Sequence, residues 1–87
     1  MTYRYTKHVE QRMAERKIPK AYIEALLDEK SRKLLAVSAR DPNVEVVMGV
    51  INKVSMVVFI NSGTKAIITV RPMRKKEKIM FEEHSNG

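Results

Sequence analysis

Val44-Glu45-Val46-Val47-Met48-Gly49-Val50-Ile51-Asn52-Lys53-Val54-Ser55-Met56-Val57-Val58-Phe59-Ile60 decides the fold. Val44 to Ile51 and Val54 to Ile60 are rich in β-branched residues, which suits pleated backbone. Asn52-Lys53 between them is short enough to close a tight hairpin, although Asn-Lys is a weaker turn former than Asn-Gly. Both runs are apolar at nearly every position, which places them in the centre of a sheet with one face under helices. Outward from this hairpin, Arg40-Asp41-Pro42-Asn43 is a turn, and Lys33 to Ala39 before it reads as a strand. Asn61-Ser62-Gly63 is a second turn. Thr64 to Val70 after it reads as another strand, stopped by Pro72. Turns this short between consecutive strands predict a four-stranded antiparallel meander.

The covering helices come first in the chain. Thr6 is a good N-cap, and Thr6 to Lys17 runs without a breaker up to Ile18-Pro19. His8, Arg12 and Glu15 share one face of it, and Val9, Met13 and Arg16 share a neighbouring stripe. Pro19 suits the first position of a second helix, about Lys20 to Lys30, whose Tyr22, Ile23, Leu26 and Leu27 form an apolar stripe. Beyond Pro72 the chain is basic first and acidic last. Met73, Glu77, Met80 and Phe81 have helical spacing, so residues 73–83 form either a short amphipathic helix or an extended basic arm, with frayed residues His84-Ser85-Asn86-Gly87 after them.

The chain has 87 residues, which sets one domain over 1–87 with a basic tail from about residue 72. Its hydrophobic fraction of 44% is that of a folded globule, not a disordered tail. No apolar run is long enough to span a membrane, and Met1-Thr2-Tyr3-Arg4-Tyr5 lacks the apolar core of a secretory signal, so a cytoplasmic protein is expected. The absence of Cys excludes disulfides and thiolate metal sites. Two His and no acidic cluster argue against a dedicated metal centre, and nothing points to a cofactor. Lys and Arg total 17 against 10 Asp and Glu, a formal charge of +7. That balance points to a polyanion: RNA, DNA or an acidic protein.

Three local signatures carry a resemblance. They are Thr6-x-His8-x-x-x-Arg12-Met13-x-x-Arg16-x-Ile18, the hairpin strands, and the closing Ile68-Thr69-Val70-Arg71-Pro72. In the order of two helices and four strands, they resemble the small proteins grouped as DUF4258, placed with the RelE-like toxins and the barnase and colicin-type ribonucleases. The resemblance covers roughly residues 6–72. It implies an α+β fold, two N-terminal helices packed on a four-stranded antiparallel sheet. It also implies a toxin-type endoribonuclease that cleaves RNA without metal or cofactor, under the control of a cognate acidic antitoxin or immunity protein. The basic tail is similar to the Arg-rich C-terminal segments of such toxins. The sequence departs from the family in lacking the paired acid and base of barnase-type enzymes at matching positions, and the Tyr near the C-terminus that several RelE-like toxins use.

Metal-independent RNA cleavage needs a base for the 2′-hydroxyl, an acid for the leaving oxygen, and a cation for the phosphorane. An imidazole suits acid or base work, so His8 serves as either, or else it hydrogen-bonds the sheet or caps the turn. Arg12, one turn on, binds the scissile phosphate or pairs with Glu15 or a carboxylate of the second helix. Arg16 contacts RNA or pairs with Glu24. Thr69 and Arg71 share a strand face, which alternation also gives to Ile67. If the first helix crosses that strand's end, as the resemblance implies, Thr69 and Arg71 meet His8 and Arg12 in one catalytic cleft. Arg74, Lys75, Lys76 and Lys78 are the densest positive run and suit contacts to the RNA backbone. Tyr22 belongs to the core, and Tyr3 and Tyr5 either pack or stack on bases. Two other functions fit the same residues: a non-catalytic RNA- or protein-binding module, or an accessory protein whose basic tail docks a partner.

Overall fold

The computed structural model describes residues 3–85. The central hairpin is formed as its sequence dictates. Strand β3 (Val44–Ile51) pairs antiparallel with β4 (Val54–Asn61), Met48 opposite Val57. Asn52 and Lys53 turn between them with φ of 52° and 68°, the two positive values that a hairpin matching strand twist requires. β2 (Leu34–Val37) pairs antiparallel with the outer side of β3, and β5 (Ala66–Pro72) with the outer side of β4.

The four-stranded antiparallel expectation needs correcting at one edge. A fifth strand, β1 (Arg4–Tyr5), pairs parallel with β5, so the sheet is mixed, in the order β1-β5-β4-β3-β2. β1 covers β5 only at Ala66 and Ile67. The rest of that edge is open, which is why β5 runs through Pro72: a missing N–H is tolerated on an edge.

Helix α1 (Lys7–Glu15) is capped as expected, the Thr6 hydroxyl accepting the Val9 N–H at 3.1 Å. It ends before Pro19. Ile18 N–H donates to the Met13 carbonyl and Lys17 N–H to that of Ala14, with Lys17 at φ 54°. This is the Schellman arrangement, closed by an apolar contact since Met13 and Ile18 are both buried in one cluster. A lysine pays for the left-handed conformation that glycine adopts freely, so Lys17→Gly should raise stability by about 1 kcal/mol in urea unfolding.

Helix α2 (Lys20–Leu27) is shorter than expected, and Pro19 caps it from outside instead of opening it. Asp28 ends it: its carboxylate accepts the Lys30 N–H at 2.9 Å, drawing the backbone into a turn. Both helices lie on one sheet face. Val9, Met13, Ile18, Ile23 and Leu26 pack there against Val47, Met56, Val58, Ile60, Ile67 and Val70. Tyr3, Tyr5 and Tyr22 flank this core, and the Tyr22 hydroxyl accepts from the Asn52 side chain. A Cβ on Gly49 would run into Leu26 Cδ1, so the glycine leaves room for the Leu26 side chain of α2 against β3.

A third helix takes the other sheet face, which the meander alone leaves bare. α3 (Lys75–Ser85) lays Phe81 against Met48, Val57 and Met73, with Leu34, Val46 and Phe59 around them. The helical alternative for the tail is the one adopted. His84 and Ser85, expected to fray, belong to this helix, and Asn86-Gly87 lie outside the described residues. Among the described residues, no helix is long and apolar enough to cross a membrane.

Candidate nucleic-acid interface

β5 has two faces, and a bulge assigns its side chains between them. The register shifts between Phe59 and Ile60, so Phe59 faces Thr69 while Ile60 faces Ile67. The extra residue turns Ile67 away from Thr69 and into the core under α1 and α2, against the simple alternation of the sequence. Arg71 lies beside Val57 and Thr69 beside Phe59, both on the α3 side.

Arg71 is held there by three partners. Its Nη1 and Nη2 donate to Glu77 Oε1 and Oε2, each at 2.7 Å, a bidentate pair across the start of α3. Nη1 also reaches the Pro72 carbonyl at 3.2 Å, and the guanidinium carbon sits 5.4 Å from the centre of the Phe59 ring. Glu77 also accepts the Arg74 backbone N–H at 2.7 Å, the reach-back bond of a helix start. The hydrogen bond from Arg71 chiefly holds the Glu77 carboxyl below the usual glutamate range, with help from the Arg74 amide and against the pull of burial. The same bond raises Arg71 above its ordinary value.

A carboxyl so depressed stabilises the fold fully above the unfolded glutamate value, about 4.3, and that contribution disappears as pH falls through the lower folded value. Glu77→Gln should therefore lower the thermal midpoint at pH 7 and flatten its fall between about pH 5 and pH 2. An unchanged acid limb in a pH series of melts would show that the pair does not carry this stability.

Arg74, Lys75, Lys76 and Lys78 surround this anchor and are exposed. Neither of the two ion pairs among the described residues uses them. Glu77 and Phe81, one turn apart, face the sheet, so the lysines point to solvent. Cations crowd the entrance of α3 while Glu82 and Glu83 stand toward its end. For these residues that is the reverse of what the helix dipole favours, although Glu77 in the first turn and His84 in the last lie as it prefers.

The first helix contributes nothing to this surface. α1 packs on β5 from the opposite sheet face, through Val9 and Met13. His8 is exposed there. Arg12 makes a 3.4 Å exposed pair with Glu15, one of the two structural roles the sequence allowed. Arg16 donates to the Val70 carbonyl, tying the end of α1 to β5, where a pair with Glu24 was one expectation. The cleft of His8, Arg12, Thr69 and Arg71 is therefore not assembled, because the sheet separates the first two from the last two. The partnership of Arg71 with Glu77 and Phe59, and the stacking of Arg32 at 5.9 Å from the Phe81 ring, have no signal in sequence spacing.

Among the described residues, no three His, Asp or Glu side chains gather as a metal group. An open cavity of about 580 Å³ lies away from the basic surface, lined by Tyr3, Tyr5, Lys20, Glu24, Leu27 and the 28–30 turn. The Tyr5 hydroxyl is enclosed without a hydrogen-bond partner, and burial first, then Glu24, pushes it up to about 12. Compared with models of protein families, with curated proteins and with solved structures, the chain matches none.

Proposed function

We propose that this protein binds RNA through its phosphate backbone, using the basic entrance of α3 together with the adjacent Arg71 and Thr69 surface. One observation carries this: Arg74, Lys75, Lys76 and Lys78 stand exposed at a helix N-terminus whose own dipole they oppose. Each such cation costs the helix about 0.3–1 kcal/mol. A bound phosphate reverses that cost, since its negative charge offsets the crowded cations. The resemblance to RelE-like and barnase-like proteins favours RNA among the polyanions.

Binding without catalysis is the better-supported form of this function. Acid–base cleavage at His8 needs a second acid or base beside it; its neighbour Arg12 supplies only a cation, in an exposed pair with Glu15, and Arg71 is across the sheet with its fork committed to Glu77. A ribonuclease activity would have to find its acid and base elsewhere. One experiment addresses both forms: titrate end-labelled single-stranded RNA with the protein at several salt concentrations, then run the same RNA on a denaturing gel. The expected result is tight binding at low salt, steep loss of affinity with added salt, and intact RNA. Absence of binding at low salt contradicts the proposal, and fragmentation restores the enzyme.

A further inference from the structure

α3 covers only part of its sheet face. Side chains of four strands stand there in cross-strand rows. In the row under α3, Val57 is 0% and Met48 4% exposed, and Arg71 closes the β5 end. The next row runs Ala36, Val46, Phe59, Thr69. Ala36 is exposed and the other three are half-buried, so the cover of α3 ends between Val57 and Phe59. β4 is an inner strand, with Val46 and Thr69 on either side of Phe59, so what Phe59 leaves open is chiefly its ring.

The surroundings of that ring select its occupant. A guanidinium already rests on it: Arg71 Cζ is 5.4 Å from the ring centre, and the bidentate bond to Glu77 fixes its plane. Bases stack on aromatic rings and on guanidinium planes alike. Among the described residues this ledge carries no free carboxylate. Glu77 is bound to Arg71, and Glu45 stands on the opposite sheet face, paired with Ile60. Asp41 lies past the ledge in its own turn, accepting the Asn43 N–H at 2.9 Å. The ledge is also continuous with the basic entrance of α3, because the Arg74 amide and the Arg71 fork share the Glu77 carboxylate. A strand with its phosphates on Arg74, Lys75, Lys76 and Lys78 has bases to place beside them, and Phe59 is the aromatic ring within reach.

We infer that Phe59 stacks an unpaired base of the bound RNA, next to Thr69, so that the surface takes single-stranded RNA in preference to a duplex. This rests on the RNA-binding proposal and adds to it. Phosphate contacts alone favour the duplex, whose charge is denser. A base held in a duplex has no face to offer the ring.

The probes are an end-labelled decamer of uridine, a chain of the same length with abasic sugars throughout, and an RNA duplex of ten base pairs. Binding of each to the full chain is read by fluorescence anisotropy at several salt concentrations. The uridine decamer should bind about tenfold tighter than the abasic chain, and tighter than the duplex. Phe59→Leu keeps an apolar side chain on the ledge. It should remove that tenfold while leaving the abasic chain and the salt slope unchanged. Phe59→Tyr, which keeps a ring, should bind like wild type. Equal binding of uridine decamer and abasic chain overturns the inference and leaves the phosphate reading standing. So does tighter binding of the duplex, or a Phe59→Leu variant that weakens both single strands alike. Failure of all three probes to bind overturns both readings. The comparison of probes on the wild-type chain decides the matter even where Phe59→Leu fails to fold.

Discussion

Changing Arg74, Lys75, Lys76 and Lys78 together to glutamine should weaken binding to single-stranded RNA about 10²-fold at 0.15 M salt, and make the salt slope shallower by about 3. Each residue is taken as one phosphate contact on a flexible strand, and the loss should be uniform across RNA sequences, because backbone contacts do not read bases. The four side chains are exposed and enter neither ion pair among the described residues, so the fold should survive. Removing them also relieves the repulsion between cations and helix dipole, so the variant should melt at or slightly above the wild-type midpoint. Anisotropy titrations at four or more salt concentrations, with a melt of each protein, check both halves. A slope unchanged within error would place the RNA elsewhere. A lower midpoint would make these residues structural.

Phe81→Ala should cost about 3–5 kcal/mol of stability. Phe81 is 8% exposed and is the main apolar contact α3 makes with the sheet, against Met48, Val57 and Met73. Residues 75–85 present little else to bury, since Ile79 and Met80 are both exposed. An isolated helix of this length is marginal in water, so α3 should fray once its anchor is gone. Exchange of backbone amides in 75–85 should become fast, while those of β3 and β4 stay the slowest in the protein. In so small a domain the loss is a third or more of the total stability, readable as a lower urea midpoint. A variant as stable as wild type would mean that α3 is not docked through Phe81.

The sequence carried the hairpin plainly. Val44 to Ile51 and Val54 to Ile60 are long and β-branched, and Asn52-Lys53 leaves little choice of turn. The two helices on one face were legible from Thr6 and from the Tyr22, Ile23, Leu26 and Leu27 stripe. β1 was not, because two residues show no alternation and their parallel pairing exists only once β5 is in place. The other sheet face was half legible: Met73, Glu77 and Phe81 gave the helix, but its docking on Met48 and Val57 depends on contacts more than 20 residues apart in sequence.

The candidate site was misjudged for a related reason. Thr69 and Arg71 do share a face, as alternation requires, but which face depends on a bulge that neither β4 nor β5 announces. The bulge sends Ile67 to the helices and leaves Arg71 opposite them, so the arginine meets Glu77 and not His8. The basic run from Arg74 to Lys78 needed no long-range contact to be noticed, only its charge.

The central claim is that RNA lies on the α3 side of the sheet. Its most direct test is an amide chemical-shift titration of the ¹⁵N-labelled protein with a short single-stranded RNA. The account predicts shifts concentrated in residues 69–79, with Thr69, Arg71, Arg74, Lys75, Lys76 and Lys78 among the largest, and little change in α1. Shifts centred on His8, Arg12 and their neighbours, with residues 69–79 unmoved, would contradict it.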